Sequence, residues 1–159
     1  MTSNEEPICP VCGSRLEKKD WVKRISEKVG GQKDWLLIER RKCTNESCRR
    51  THRLLPDICV PYKHYEAGTI EDVVDGTLDE EALCEEAYPC ESTLSRWRAW
   101  GSEFLQNAEG QIRSAAYRIL DLAEEFLWSG RSLLEELRER LNYGWLAAAI
   151  RIHVNTGGG

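Results

Sequence analysis

Ile8-Cys9-Pro10-Val11-Cys12-Gly13-Ser14, answered further along the chain by Cys43-Thr44-Asn45-Glu46-Ser47-Cys48, is the stretch whose reading decides the N-terminal fold. A structural zinc ion takes four sulfur or nitrogen ligands at about 2.0 to 2.3 Å, and spacers of two to four residues let a tight turn present two thiolates together. Cys9-x2-Cys12 and Cys43-x4-Cys48 both meet that rule. In the first pair, Pro10 presets φ and Gly13 lets the chain reverse with φ above zero. The four cysteines therefore predict one structural zinc ion, Zn2+, held by Cys9, Cys12, Cys43 and Cys48. A four-thiolate site also accepts iron. The competing reading is four buried thiols or two disulfides. The odd total of seven cysteines argues against full pairing. The polar, acidic start Met1-Thr2-Ser3-Asn4-Glu5-Glu6 lacks the basic and apolar parts of a secretory leader, which predicts a cytoplasmic protein with reduced thiols.

Between the cysteine pairs, residues 21–29 and 35–41 are rich in apolar and β-branched side chains, and Gly30-Gly31 supplies a turn. This predicts a β-hairpin, followed by a third short strand over 51–55 that ends at Pro56. Three strands around one metal make a zinc ribbon.

Charge divides the chain. Residues 1–64 carry 14 Lys and Arg against 9 Asp and Glu, whereas residues 65–159 carry 8 against 18. Four thiolates on Zn2+ reduce the first balance by two and leave the module weakly attractive to a polyanion.

After residue 65 the apolar period turns helical. Helices are expected over 67–75, from 78 or 79 to 86, and over 91–104, with breaks at Gly76 and Tyr88-Pro89. Three short helices suggest a helix-turn-helix whose third element lies in the major groove. Ser92 or Glu91 would cap that helix and leave Thr93, Ser95, Arg96 and Arg98 for bases or phosphates. Leu94, Trp97 and Trp100 share its core face. Against DNA stands the stretch 66–91, with ten acidic and no basic side chains. The carboxylates after Glu66 read as solvated faces.

Ile112, Ala115, Ala116, Ile119, Ala123, Phe126 and Leu127 predict an amphipathic helix over 108–128. Leu133, Leu134, Leu137 and Leu141 begin another, and a last one runs over 145–154 after Gly144. Their apolar faces pack within the chain or form a homodimer interface. The expected organisation is α+β: a three-stranded zinc ribbon over 1–64, a helix-turn-helix over 65–105, C-terminal helices over 106–154 and a flexible tail over 155–159.

The run from Arg41 through Cys43, Cys48, Arg50-Thr51-His52 and Leu55-Pro56-Asp57, with Val60-Pro61-Tyr62-Lys63-His64-Tyr65 after it, resembles a bacterial family of uncharacterised zinc-ribbon proteins. Those proteins are similar to the N-terminal zinc-binding and helix-turn-helix regions of insertion-sequence transposases. Glu91-Ser92-Thr93-Leu94-Ser95-Arg96-Trp97-Arg98 looks like the family's helix-turn-helix segment. The resemblance implies recognition of DNA ends, with the four cysteines as ligands and Arg96 and Arg98 as contacts.

A transposase needs a carboxylate triad on a further domain to hold two metal ions, and ribbon and helices leave no room for it here, so no catalysis is expected. His52 is a secondary candidate ligand, and Cys59, Cys84 and Cys90 read as buried or half-buried thiols. No phosphate loop or dinucleotide fingerprint supports a small-molecule ligand, and no apolar run is long enough to span a membrane. The sequence therefore predicts a zinc-dependent protein that binds double-stranded DNA. Its groove helix would be aided by Lys23, Arg24, Arg40, Arg41, Arg49, Arg50 and Arg53 on phosphates. The alternative is a protein-interaction adaptor in which zinc serves only to fold the ribbon.

Overall fold

The computed structural model describes residues 7–28, 30–78, 89–119, 128 and 130–155. Within these residues the chain is α+β, a three-stranded antiparallel sheet followed by four helices.

Strands β1 (Leu16–Glu27), β2 (Lys33–Cys43) and β3 (Thr51–Arg53) lie in the order β1-β2-β3. β1 and β2 reach further toward the cysteine end than the apolar runs that predicted them. Their added residues, Glu17 to Lys19 and Lys42, are exposed on both faces and break the apolar pattern, yet the ladder continues to the pair Leu16–Cys43. The hairpin closes through Lys28 N–H on the Gln32 carbonyl and Gly31 N–H on the Lys28 carbonyl. The register shifts between Lys18 and Asp20, so Lys19 is a bulge.

Because side chains alternate along a strand, the bulge sets which of them share a face. Val22, Arg24, Ser26, Leu36 and Ile38 form the inner face, with Ser26 and Ile38 buried. It packs on the segment leading into the helices. Glu27 N–H donates to the His64 carbonyl and Glu66 N–H to the Glu27 carbonyl. The Arg24 guanidinium donates to the carbonyls of Val60, at 2.6 Å, and Lys63.

The helices are α1 (Ala67–Asp75), α2 (Glu91–Ile119), α3 (Leu133–Leu141) and α4 (Trp145–Asn155). Helix α1 stops at Gly76 in the left-handed conformation, and the Ser132 side chain caps α3 by accepting from Leu134 N–H. Leu94 and Trp97 of α2 are buried as their spacing predicts, with Ile70 and Val73 of α1, Leu133 and Leu137 of α3, and Trp145, Leu146 and Ala149 of α4. Burying each large apolar side chain contributes roughly 1.5 to 3 kcal/mol before ordering costs. Most apolar residues of α3 and α4 thus find partners inside the chain, while Leu141 and Val154 stay exposed. Helices α1 and α2 cross where Gly101 meets Val74; a Cβ there would lie 2.7 Å from Val74 Cγ2.

The helices expected over 91–104 and from 108 onward are one in the structure, since α2 passes through 105 and 106 without a break. No proline interrupts it, and Gly110 sits in open space. The middle helix of the expected helix-turn-helix falls on 79–86, outside the described residues, as do the side chains of Ile112, Ala115, Ala116 and Ile119 and the residues 120–127 and 156–159.

Not all the late carboxylates are solvated. Glu71 is 2% exposed and accepts from the N–H groups of Gly144 and Leu146, capping α4 from another helix. Asp75 accepts from Arg138 and from Trp145 Nε1, and Glu109 accepts from Arg113, Ser132 and Leu133 N–H. No described helix is long and apolar enough to cross a membrane.

Candidate metal centre

The first knuckle is held by Cys9 N–H on the Ser14 carbonyl and Gly13 N–H on the Cys9 carbonyl. Gly13, at φ 72°, reverses the chain just after Cys12. The second knuckle repeats this geometry with different residues. Cys48 and Arg49 donate their N–H groups to the Asn45 carbonyl, the Asn45 side chain accepts from Ser47 N–H, and Arg49, at φ 47°, takes the position after the second cysteine. Thr44 N–H and Thr44 Oγ1 both donate to the Arg15 carbonyl, fastening one knuckle to the other.

The sulfurs of Cys9, Cys12, Cys43 and Cys48 all lie within 4.8 Å of one another. Cys9–Cys48 and Cys12–Cys43 are 3.8 and 3.4 Å apart. A tetrahedron of Zn–S bonds of about 2.3 Å has edges of about 3.8 Å, so the cluster is the right size for one ion. None of the six described cysteines is in a disulfide. Cys9 and Cys43 are buried and Cys12 is exposed, which places the site at the sheet end with one side facing solvent. Hydrogen bonds from Ser14, side chain first and then backbone, hold the Cys12 thiol down to about 6, whereas burial pushes Cys43 up to about 12. A metal entering the cluster must displace the Cys43 proton. A soft four-thiolate set is compatible with one metal ion. All four positions would be filled by protein, the arrangement of a structural site. His52 Nε2 lies 3.3 Å from Cys9 Sγ, close enough to hydrogen-bond to that sulfur.

The basic residues fall into two groups. Arg40 is forked onto Asp20 and Arg41 is paired with Glu39 at 2.7 Å, while Arg24 is turned inward onto carbonyls. All three guanidinium groups are engaged within the chain. Arg49, Arg50 and Arg53, on the second knuckle and β3, are exposed and make no ion pair among the described residues. Lys23 is also exposed.

At the start of α2 the carbonyl of Cys90, not Ser92 or Glu91, receives the first N–H groups, from Thr93 and Leu94. Arg96 bonds back to the Ser92 carbonyl and Thr93 Oγ1, and Arg98 pairs with Glu91 at 3.4 Å. Ser95 is exposed. Cys59 is buried as expected. Cys90 is exposed instead, its thiol held down to about 7 by the hydroxyls of Ser92 and Thr93, and Cys84 lies outside the described residues.

Sequence reasoning missed one group of surface residues. Trp21, Trp35 and Leu37 stand on the outer face of the hairpin, 51%, 65% and 64% exposed. Both phases of Trp35-Leu36-Leu37-Ile38 are apolar, so alternation cannot say which one faces out.

No curated protein and no solved structure matches the chain. Residues 9–97, from the first cysteine of the cluster to the buried Trp97, match the model of a domain of unknown function, DUF6431, and the chain belongs to that family.

Proposed function

We propose that the protein binds double-stranded DNA through a zinc-braced ribbon. The observation that carries this reading is the exposed trio Arg49, Arg50 and Arg53, held on a knuckle and strand that the four cysteines fix in place and free of acidic partners among the described residues. Zinc here crosslinks the two knuckles and sets the arginines' spacing; phosphate contacts of this kind position a protein on a duplex without reading its sequence. Thr93, Ser95, Arg96 and Arg98 at the start of α2 are the base-reading surface in this account. Arg96 and Arg98 would have to exchange their internal bonds for contacts to DNA. The role in this account is binding rather than catalysis, as the motif resemblance to the end-recognition regions of transposases implies.

The test is anisotropy of a labelled duplex titrated with zinc-loaded protein over a salt series. Several phosphate contacts make log K fall with log salt at about 0.9 per phosphate. No duplex binding at low salt would favour an adaptor. That alternative has less support from charge than the acidic run 66–91 suggests, because Glu66, Glu71 and Asp75 are engaged within the chain.

A further inference from the structure

We propose that the outer face of the β1–β2 hairpin is a stacking platform for single-stranded DNA, a surface separate from the arginines that hold duplex phosphates. The inference rests on the reading of the protein as DNA-binding and adds a second substrate form.

The register pairs Trp21 with Glu39, Lys23 with Leu37 and Ile25 with Trp35, which sets these side chains on one face. Trp21, Trp35 and Leu37 are more than half exposed there. Three large apolar groups left in water on one sheet face imply an occupant. The charges between them say which kind. Lys18 Nζ sits 4.9 Å from the Trp21 ring centroid, and Lys23 is exposed with no ion pair among the described residues. The carboxylates on the face are neutralised, Glu39 by Arg41 at 2.7 Å and Glu27 by Lys33 at 3.8 Å. The face is thus aromatic with net positive charge. Flat aromatic rings beside cations suit bases stacked along a phosphate backbone, whereas an apolar protein partner would leave the lysines desolvated.

Trp21 and Trp35 stand four ladder positions apart, since Trp21 lies opposite Glu39. At the rise of a strand that is about 13 Å, the length of about four stacked nucleotides. A duplex cannot use this surface, because its bases are already stacked on one another. Unpaired bases can.

The experiment compares affinities of the zinc-loaded full chain for a labelled oligothymidine and for a labelled duplex. It is repeated with the W21A/W35A double variant and with W128A, which removes an exposed tryptophan elsewhere. Both platform rings are exposed, so the double variant should keep its zinc and its helical signal. The expected result is a loss of at least tenfold for the oligothymidine, less than threefold for the duplex, no loss in W128A, and recovery of most of the affinity in W21F/W35F. Equal losses on both DNAs, or no loss on the oligothymidine, would overturn the platform. So would wild-type protein that binds duplex but not oligothymidine, a result that leaves the proposed function standing. Failure to bind either DNA would remove the proposed function along with the platform. A concentration-dependent dimer abolished in W21A/W35A, with oligothymidine binding unchanged, would make the face a contact between two copies and overturn the proposal.

Discussion

Arg40 closes a two-pronged bond on Asp20 across the β1–β2 pair, Nε to Oδ1 at 2.6 Å and the terminal nitrogen to Oδ2 at 2.5 Å. The hydrogen bond from Arg40 holds the Asp20 carboxyl below the usual carboxylate range. The fork matches guanidinium to carboxylate geometry and leaves that arginine little to offer a phosphate. Arg40 and Arg50, which the sequence groups together as phosphate contacts, therefore differ in structure: one is paired and the other exposed without an ion pair among the described residues.

R40A should change duplex affinity less than twofold and leave its salt dependence intact. R50A should weaken duplex binding several-fold and make the slope of log K against log salt shallower by about 0.9. Anisotropy over a salt series measures both. Equal effects from the two variants would show that the internal pairing does not decide which arginine meets DNA.

Glu71 links α1 to the first turn of α4 through two backbone N–H groups. E71Q keeps one acceptor and points an amide donor at the other N–H, so it should cost about 1 to 3 kcal/mol in urea unfolding at neutral pH. Burial raises the carboxyl's pKa in the folded protein, against the lowering effect of those two bonds. The folded state therefore keeps this proton to higher pH than the unfolded state, and the group's contribution to stability falls as pH rises between the two values. E71Q should remove that part of the pH slope. An unaltered slope would show that Glu71 does not titrate differently on folding.

Metal removal should separate the two cores. The cluster at the cysteines contains Cys9, Leu16 and Cys43, whereas the helical core draws no residue from the three strands. A structural zinc ion contributes apparent folding free energy of about 10 to 16 kcal/mol. Chelation should therefore expose four additional reactive thiols and abolish the ribbon's dispersed amide signals, while most helical far-UV dichroism remains. A ribbon unchanged after verified metal loss would show that the strands hold without it.

Among the described cysteines, Cys90 should react fastest in the metal-loaded protein, since it is exposed and its pKa is lowered to about 7 by the Ser92 and Thr93 hydroxyls. The thiolate is the reactive form, so alkylation mapped by mass spectrometry should speed up as pH rises through about 7 and level off above it. Cys59, buried and with its pKa raised by burial, should stay unlabelled in the native state.

The four-cysteine cluster was legible because ligand spacing is a local constraint: two short spacers and a residue that accepts positive φ after each pair. That residue is a glycine in one knuckle and Arg49 in the other, and only the glycine announces itself. Helices α1, α3 and α4 followed from apolar period and the breaks at Gly76 and Gly144, while the Ser132 cap of α3 showed only in the structure. The continuity of α2 did not, because nothing at 104–108 distinguishes a polar surface turn from a break. The roles of Arg24, Arg40, Glu71 and Asp75 were hidden for a different reason. Each is set by a partner many residues away in sequence, and for Arg40 that partner, Asp20, comes opposite only because the register shifts at Lys19. Charge counted along the chain cannot tell a spent arginine from an available one.

The most direct test of the central claim is the salt dependence of duplex affinity for zinc-loaded wild type and the R49A/R50A/R53A variant, with zinc content measured on both. The account predicts about one zinc per chain in each, steep salt dependence in the wild type, and a slope shallower by about 2 to 3 in the variant. Equal slopes with equal zinc, or no duplex binding by the wild type at low salt, would contradict it.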